Sequence, residues 1–240
     1  MLRDSRTPNE RPSGRGAAGV IQAVVFDFDG LVFDSETHEY QVIREIFAEH
    51  GAELPLEVWG RCVGREAGFF DAYAYLEERT GRPVDREALA ALRHERFHAR
   101  IRGEGPLPGV EEALRAAHEL GLRVGLASSS PRTWVLPQLG RLGLLPWFHA
   151  VRTADDVERV KPHPDLYLSV LEELGVSPEH AVALEDSPNG ALAARRAGMR
   201  CVVVPNSVTL ALEFGEHDLR LASLAETGLA SLVERLARGK

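Results

Sequence analysis

Cysteine is scarce in this chain of 240 residues, with Cys62 and Cys201 the only two. Neither has neighbours at metal-ligand spacing, so both are read as buried small hydrophobes rather than a zinc site or a disulfide framework. No apolar run is long enough to cross a bilayer. The N-terminus also lacks the apolar stretch of a secretory signal, so the expectation is a cytoplasmic protein with no membrane partner. Positive charge is short as well: 28 Lys and Arg stand against 36 Asp and Glu, a formal net charge of −8. That balance argues against nucleic acid as a partner. An anionic substrate would need a local site that reverses the background. What remains is an ordinary globular profile, 44% hydrophobic and 27% charged. Its length suits one large core, or one core with a smaller attached domain. Nothing argues for self-association, and a monomer is expected.

Residues 1–19 are rich in Arg, Pro, Gly and Ser with little that packs, and read as a disordered tail. Order begins at Val20–Phe26, a short β-branched run of the kind found in a strand buried on both faces. Similar runs occupy 123–127, 180–184 and 201–204, with a weaker one at 149–152. Between them lie helical patterns, such as Val110, Ala113, Leu114, Ala117 and Leu120 on one face. Leu166, Tyr167, Val170, Leu171 and Leu174 form another. Strands alternating with helices predict an α/β fold, a parallel sheet covered on both faces. One gap breaks the rhythm: about a hundred residues separate the first two strands, far more than a compact βαβ unit needs. The gap holds helical patterns only and closes at Gly105–Gly109. The expectation is a Rossmann-like core, residues 20–34 and 106–240, with an all-helical cap inserted at 35–105.

Open parallel sheets bind ligands beyond the carboxyl ends of their strands. There the chain places Asp27-Phe28-Asp29-Gly30, Ser128-Ser129-Ser130, Lys161 and Glu185-Asp186. Any one of these reads as a capped or solvated loop residue; their joint placement does not. Asp27 and Asp29 are two apart on extended chain and share a face. Carboxylates gathered like this repel unless a cation or a proton intervenes. A hard cation with oxygen ligands fits, and Mg²⁺ is the usual one beside phosphate. The set suits covalent phosphoryl transfer: one carboxylate attacks phosphorus, and the other protonates the leaving oxygen and later activates water. Ser-Pro pairs at 130–131 and 187–188 predict two helices starting at the site, N-cap then first residue. Ser128, with Ser129 beside it, is assigned a phosphate contact, as is the ammonium of Lys161.

The motifs DFDGLVFDSE (27–36), ASSS (127–130), KPHPD (161–165) and LEDSPNGALAARRAG (184–198) together resemble those of the haloacid-dehalogenase-like hydrolases. The nearest subgroup contains β-phosphoglucomutase and small-metabolite phosphatases. The resemblance runs from about residue 20 to the end and implies a helical cap after the first motif. It implies that Asp27 is nucleophile and metal ligand, and that Asp29 is acid/base and gives its backbone carbonyl to Mg²⁺. Asp186 becomes a direct metal ligand and Glu185 a direct or water-linked one, with Ser128 and Lys161 on the phosphoryl group. The expected activity is Mg²⁺-dependent hydrolysis of a small phosphorylated metabolite.

Mutase and phosphatase share such a core. β-Phosphoglucomutases carry a histidine where this chain has Glu39, so hydrolysis is favoured over mutase activity, and the adjacent His38 is read as solvated. Arg65, in Gly64-Arg65-Glu66, and Glu39 are the specificity candidates in the cap, while Trp59, Tyr73 and Tyr75 read as cap core. A dehalogenase has no need of Asp29. A non-catalytic binding protein on the same fold would be expected to lose a motif residue, and none is lost.

Overall fold

The computed structural model describes residues 20–60, 63 and 69–238. The expected tail at 1–19, Cys62 and the specificity candidate Arg65 lie outside the described residues. In chain order the elements are β1 (Ala23–Phe26), α1 (Ser35–Glu49), α2 (Leu56–Trp59), α3 (Ala72–Thr80), α4 (Arg86–Ile101) and α5 (Val110–Glu119). They continue with β2 (Arg123–Ala127), α6 (Arg132–Arg141), β3 (Ala150–Arg152), α7 (Asp165–Leu174), β4 (Ala181–Glu185) and α8 (Pro188–Arg196). The last are β5 (Arg200–Val203), β6 (Leu219–Arg220) and α9 (Leu229–Arg238).

The strands form one parallel sheet in the order β3-β2-β1-β4-β5-β6. Side chains alternate along each strand, so both faces need an apolar cover. Val24, Phe26, Val124, Leu126, Leu184 and Val202 pack on one side with α5, α6 and α9. Ala23, Val25, Ala183, Cys201 and Val203 pack on the other with α7 and α8. The direction in which successive strands are added reverses at β1, with β2 on one side and β4 on the other. That is the topological switch point at which such sheets open a crevice.

Between β1 and α5 the assigned elements are helices, and these build a separate core. Val42, Ile43, Ile46 and Phe47 of α1 meet Leu76 of α3 and Leu89 of α4. Asp34 caps α1 by accepting from the Thr37 amide at 3.2 Å, and Asp85 caps α4 by accepting from Ala88 at 3.0 Å. Charges of opposite sign line the seam of α1 and α4, pairing Glu39 with Arg93, Glu45 with Arg100, and Glu49 with Arg96 at 2.8 Å. Trp59, Tyr73 and Tyr75 pack against this core, as expected. His38 differs from expectation: it is half-buried, its Nε2 3.9 Å from Glu104 Oε1 on the returning crossing. The two crossings are tied where the Leu107 amide donates to Val32 O at 2.9 Å. The helical unit touches the sheet unit through Asn189 Nδ2 on Val63 O (2.7 Å), through Thr37 and Ser207 hydroxyls (2.8 Å), and through Phe97, which packs on both cores.

Candidate active site

The parallel ladder sets the depth of each strand end. The Asp27 amide donates to Leu184 O of β4 and the Ser128 amide to Arg152 O of β3, both at 3.0 Å, so Asp27, Ser128 and Glu185 emerge beside one another. Asp27, Glu185 and Asp186 each offer a carboxylate oxygen, all within 4.8 Å of one another and all buried. Lys161, 2% exposed, supplies the opposing charge. Its ammonium donates to Asp27 Oδ1, to Glu185 Oε1 at 2.6 Å and to Ala127 O at 2.9 Å.

Burial pushes the Asp27 carboxyl up to about 7, with Glu185 adding to the rise and Lys161 opposing it. Burial works against the Lys161 charge too, but the Asp27 and Glu185 carboxylates outweigh it and hold the ammonium above its ordinary range. Asp186 is likewise raised, by burial first and then by Glu36 and its other acidic neighbours. So much negative charge in a dry place calls for a further cation. Asp186 Oδ1 points the same way, since it is buried with no hydrogen-bond partner among the described residues. An all-oxygen donor set with an unused buried oxygen fits a hard divalent metal.

Asp29 occupies different surroundings. Its Oδ1 accepts from Ser35 Oγ at 2.6 Å and from Trp134 Nε1 at 2.8 Å; its Oδ2 accepts from Ser130 Oγ at 2.6 Å, with Ser128 Oγ at 3.4 Å. The two motif aspartates therefore differ in surroundings: Asp27 faces the ammonium and the acidic cluster, while Asp29 is held by neutral donors. Gly30, at φ +86°, turns the chain between them and the cluster, and a Cβ there would collide with Asp186.

The structure brings Asp27, Asp29, Ser128, Lys161, Glu185 and Asp186 together, with Ser129 half-buried between Ser128 and Ser130. Of the two expected serine caps, Ser187 accepts from the Gly190 amide at 3.0 Å and starts α8. The other fails: Pro131 is the N-cap of α6, and Ser130 turns its hydroxyl to Asp29 instead. Glu39, in α1, is paired to Arg93 and pushed up by burial against the pull of that arginine. With Arg93, His94, Phe97, His98 and Trp134 it lines a cleft of about 470 Å³ between α4 and the start of α6.

Four residues join the site without having been singled out. Glu36 lies against Asp186, and burial pushes its carboxyl up to about 8. Asn206 Nδ2 donates to Asp186 Oδ2 at 2.7 Å and sits 3.3 Å from both Glu36 Oε2 and Gly30 O. The buried Tyr167 donates to Glu185 Oε1 at 2.5 Å and offers its ring to Lys161 at 5.1 Å. Trp134 is the fourth. A signal existed for Asn206, which follows β5 at the same carboxyl edge. For Tyr167 it was the need of a buried phenol for an acceptor.

A chain with this sheet and this strand-end cluster is a hydrolase of a known class. A family model described as haloacid dehalogenase-like hydrolase matches residues 21–198, and the chain belongs to that family. A Bacillus subtilis (strain 168) protein named "Putative phosphatase YhcW" is 54% identical over 217 residues, 90% of this chain and 98% of that one. Hexitol phosphatase B of Escherichia coli (strain K12) is 33% identical over 224 residues, 91% of this chain and 96% of that one. A crystal structure of a mutant CbbY from Rhodobacter sphaeroides in complex with xylulose-1,5-bisphosphate matches with a TM-score of 0.69 at 31% identity. That match covers 89% of this chain and 99% of the other.

Proposed function

We propose that this phosphomonoester hydrolase releases phosphate from a small phosphorylated carbohydrate, with Mg²⁺ as cofactor and Asp27 as nucleophile. The observation that carries the reading is the buried set of Asp27, Glu185 and Asp186 around Lys161, at the sheet's switch point. Asp27 attacks phosphorus and the ester oxygen leaves, giving an aspartyl phosphate. Asp29 gives that oxygen a proton, then takes one from the water that hydrolyses the intermediate. Ser128, Ser129 and Lys161 hold the phosphoryl oxygens, supplying fixed positive partners where charge gathers in the transition state.

Asp27 and Asp186 would hold Mg²⁺ directly, with the backbone carbonyl of Asp29. Glu185 already accepts from Tyr167, Lys161 and Ser187, which favours a water-linked role. Bound there, the metal would offset the negative charge shared by the phosphoryl group and the carboxylates. The helical segment 35–105 serves as the cap, its α1 and α4 side chains and Arg65 choosing the leaving group. Carbohydrate substrates are favoured by what the relatives are named for or crystallised with: a hexitol phosphatase and a ketose bisphosphate complex. The mutase alternative draws no support from Glu39, whose carboxylate is taken up by Arg93.

The test is phosphate release from a panel of hexitol phosphates, ketose phosphates, phosphoglycolate, nucleoside monophosphates and p-nitrophenyl phosphate. Each is run with Mg²⁺ and after EDTA. The reading expects release that Mg²⁺ restores, with phosphorylated carbohydrates ranked first. No release from any ester would contradict it, and isomerisation of β-glucose 1-phosphate would then favour the mutase.

A further inference from the structure

Among the donors that hold Asp29, one differs in kind. Ser35 and Ser130 are hydroxyls, free to turn to another acceptor, whereas an indole N–H has one direction and no acceptor capacity. Trp134 Nε1 is 2.8 Å from Asp29 Oδ1, so the ring's placement and the carboxylate's placement are a single condition. The ring is fixed from both units of the molecule. Phe33, on the outbound crossing, lies 6.4 Å away centroid to centroid. Phe97 and His98 of α4 lie at 5.6 and 6.3 Å. The same indole lines the cleft with Glu39, Arg93 and His94.

We propose that Trp134 is a positioning residue for Asp29. Its N–H fixes the carboxylate toward the leaving oxygen, and its ring, packed on Phe97 and His98 of α4, fixes that N–H in turn. The inference rests on Asp29 being the acid/base, as proposed above.

Leaving-group chemistry separates this role from a merely structural one. An alkoxide expelled from a hexitol phosphate needs the proton that Asp29 brings, while p-nitrophenolate leaves without it. The quantity to compare is kcat/KM, which covers only the steps through loss of the leaving group. Trp134→Phe keeps an aromatic ring and removes the N–H. It is expected to lower kcat/KM for a hexitol phosphate about tenfold, in line with one hydrogen bond to a charged group. The loss on p-nitrophenyl phosphate should stay below about threefold. Phe97→Ala keeps the N–H and removes part of the ring's support from α4. It should show the same selectivity with a smaller loss, and it carries the test if Trp134→Phe does not fold. Equal losses on both esters, or no loss on either, would overturn the proposal. Asp29→Asn is the reference: if it fails to discriminate between the two esters while Asp27→Asn is inactive, the acid/base reading of Asp29 falls, and the inference with it. If Asp29→Asn discriminates and Trp134→Phe does not, the inference alone falls.

Discussion

Lys161→Met isolates the electrostatic core of the site. The side chain is enclosed, and its ammonium is shared by Asp27 and Glu185, with a carbonyl as third partner. Methionine fills similar space without charge, so cavity formation contributes little and the change is chiefly electrostatic. Two buried carboxylates then lose their common cation. Removing one partner of a buried pair costs roughly 3–5 kcal/mol. In a protein of this size about 2–4 °C of melting temperature follows each kcal/mol, so metal-free Lys161→Met should melt roughly 6–20 °C below the parent. Thermal unfolding in EDTA, followed by circular dichroism at a pH near 8, reads this directly. The double variant Lys161→Met/Glu185→Gln removes one of the stranded charges and should recover part of the loss, a non-additivity expected of groups in contact. A melting temperature within about 2 °C of the parent, with the double variant additive, would refute the account of Lys161 as the counterion of this cluster.

Other consequences can be read more briefly. Burial raises Asp27 to about 7 and Glu36 to about 8, so each binds its proton more tightly folded than unfolded. Their contribution to stability is present at low pH and is lost as pH rises from the ordinary carboxylate range through 7 and 8. Metal-free melting temperature should therefore fall between pH 5 and pH 8, and Mg²⁺ should raise it more at the upper end; a flat profile without metal would contradict this. Gly190→Ala places a methyl where the Glu185 carboxylate lies, displacing it from Lys161 and Tyr167. We expect destabilisation of about 1–3 kcal/mol in chemical denaturation. Mg²⁺ affinity should weaken roughly 10–100-fold by calorimetry, and parent-like values in both would count against the packing described.

The sequence was most legible where one interaction dominates. Both-face burial writes itself as β-branched runs, so β1, β2, β4 and β5 stood out, and the strand-end rule then led to Asp27, Ser128 and Glu185 without any contact being known. The two-residue β6 left no such run: Leu219 and Arg220 sit at the sheet edge, half-buried and exposed. Sequence alone reads Ser130 as a cap because the Ser-Pro pair is the same signal in both places. Only tertiary placement decides whether the hydroxyl turns to its own helix, as Ser187 does, or to Asp29. Trp134 and Tyr167 were hidden for a related reason. Helical periodicity places a residue on a face but says nothing of a polar atom at the far end of an aromatic ring. Asn206 reaches Asp186 from a loop with no periodicity, though the strand-end rule applied one strand further would have included it.

The central claim is that Asp27 carries the phosphoryl group. Rapid acid quench during turnover of a hexitol phosphate, followed by peptide mass analysis, tests it most directly. The account predicts a peptide containing Asp27 heavier by one phosphoryl group, labile to hydroxylamine, and absent together with phosphate release in Asp27→Asn. Undiminished release by Asp27→Asn, with no phosphorylated peptide in the parent, would contradict it.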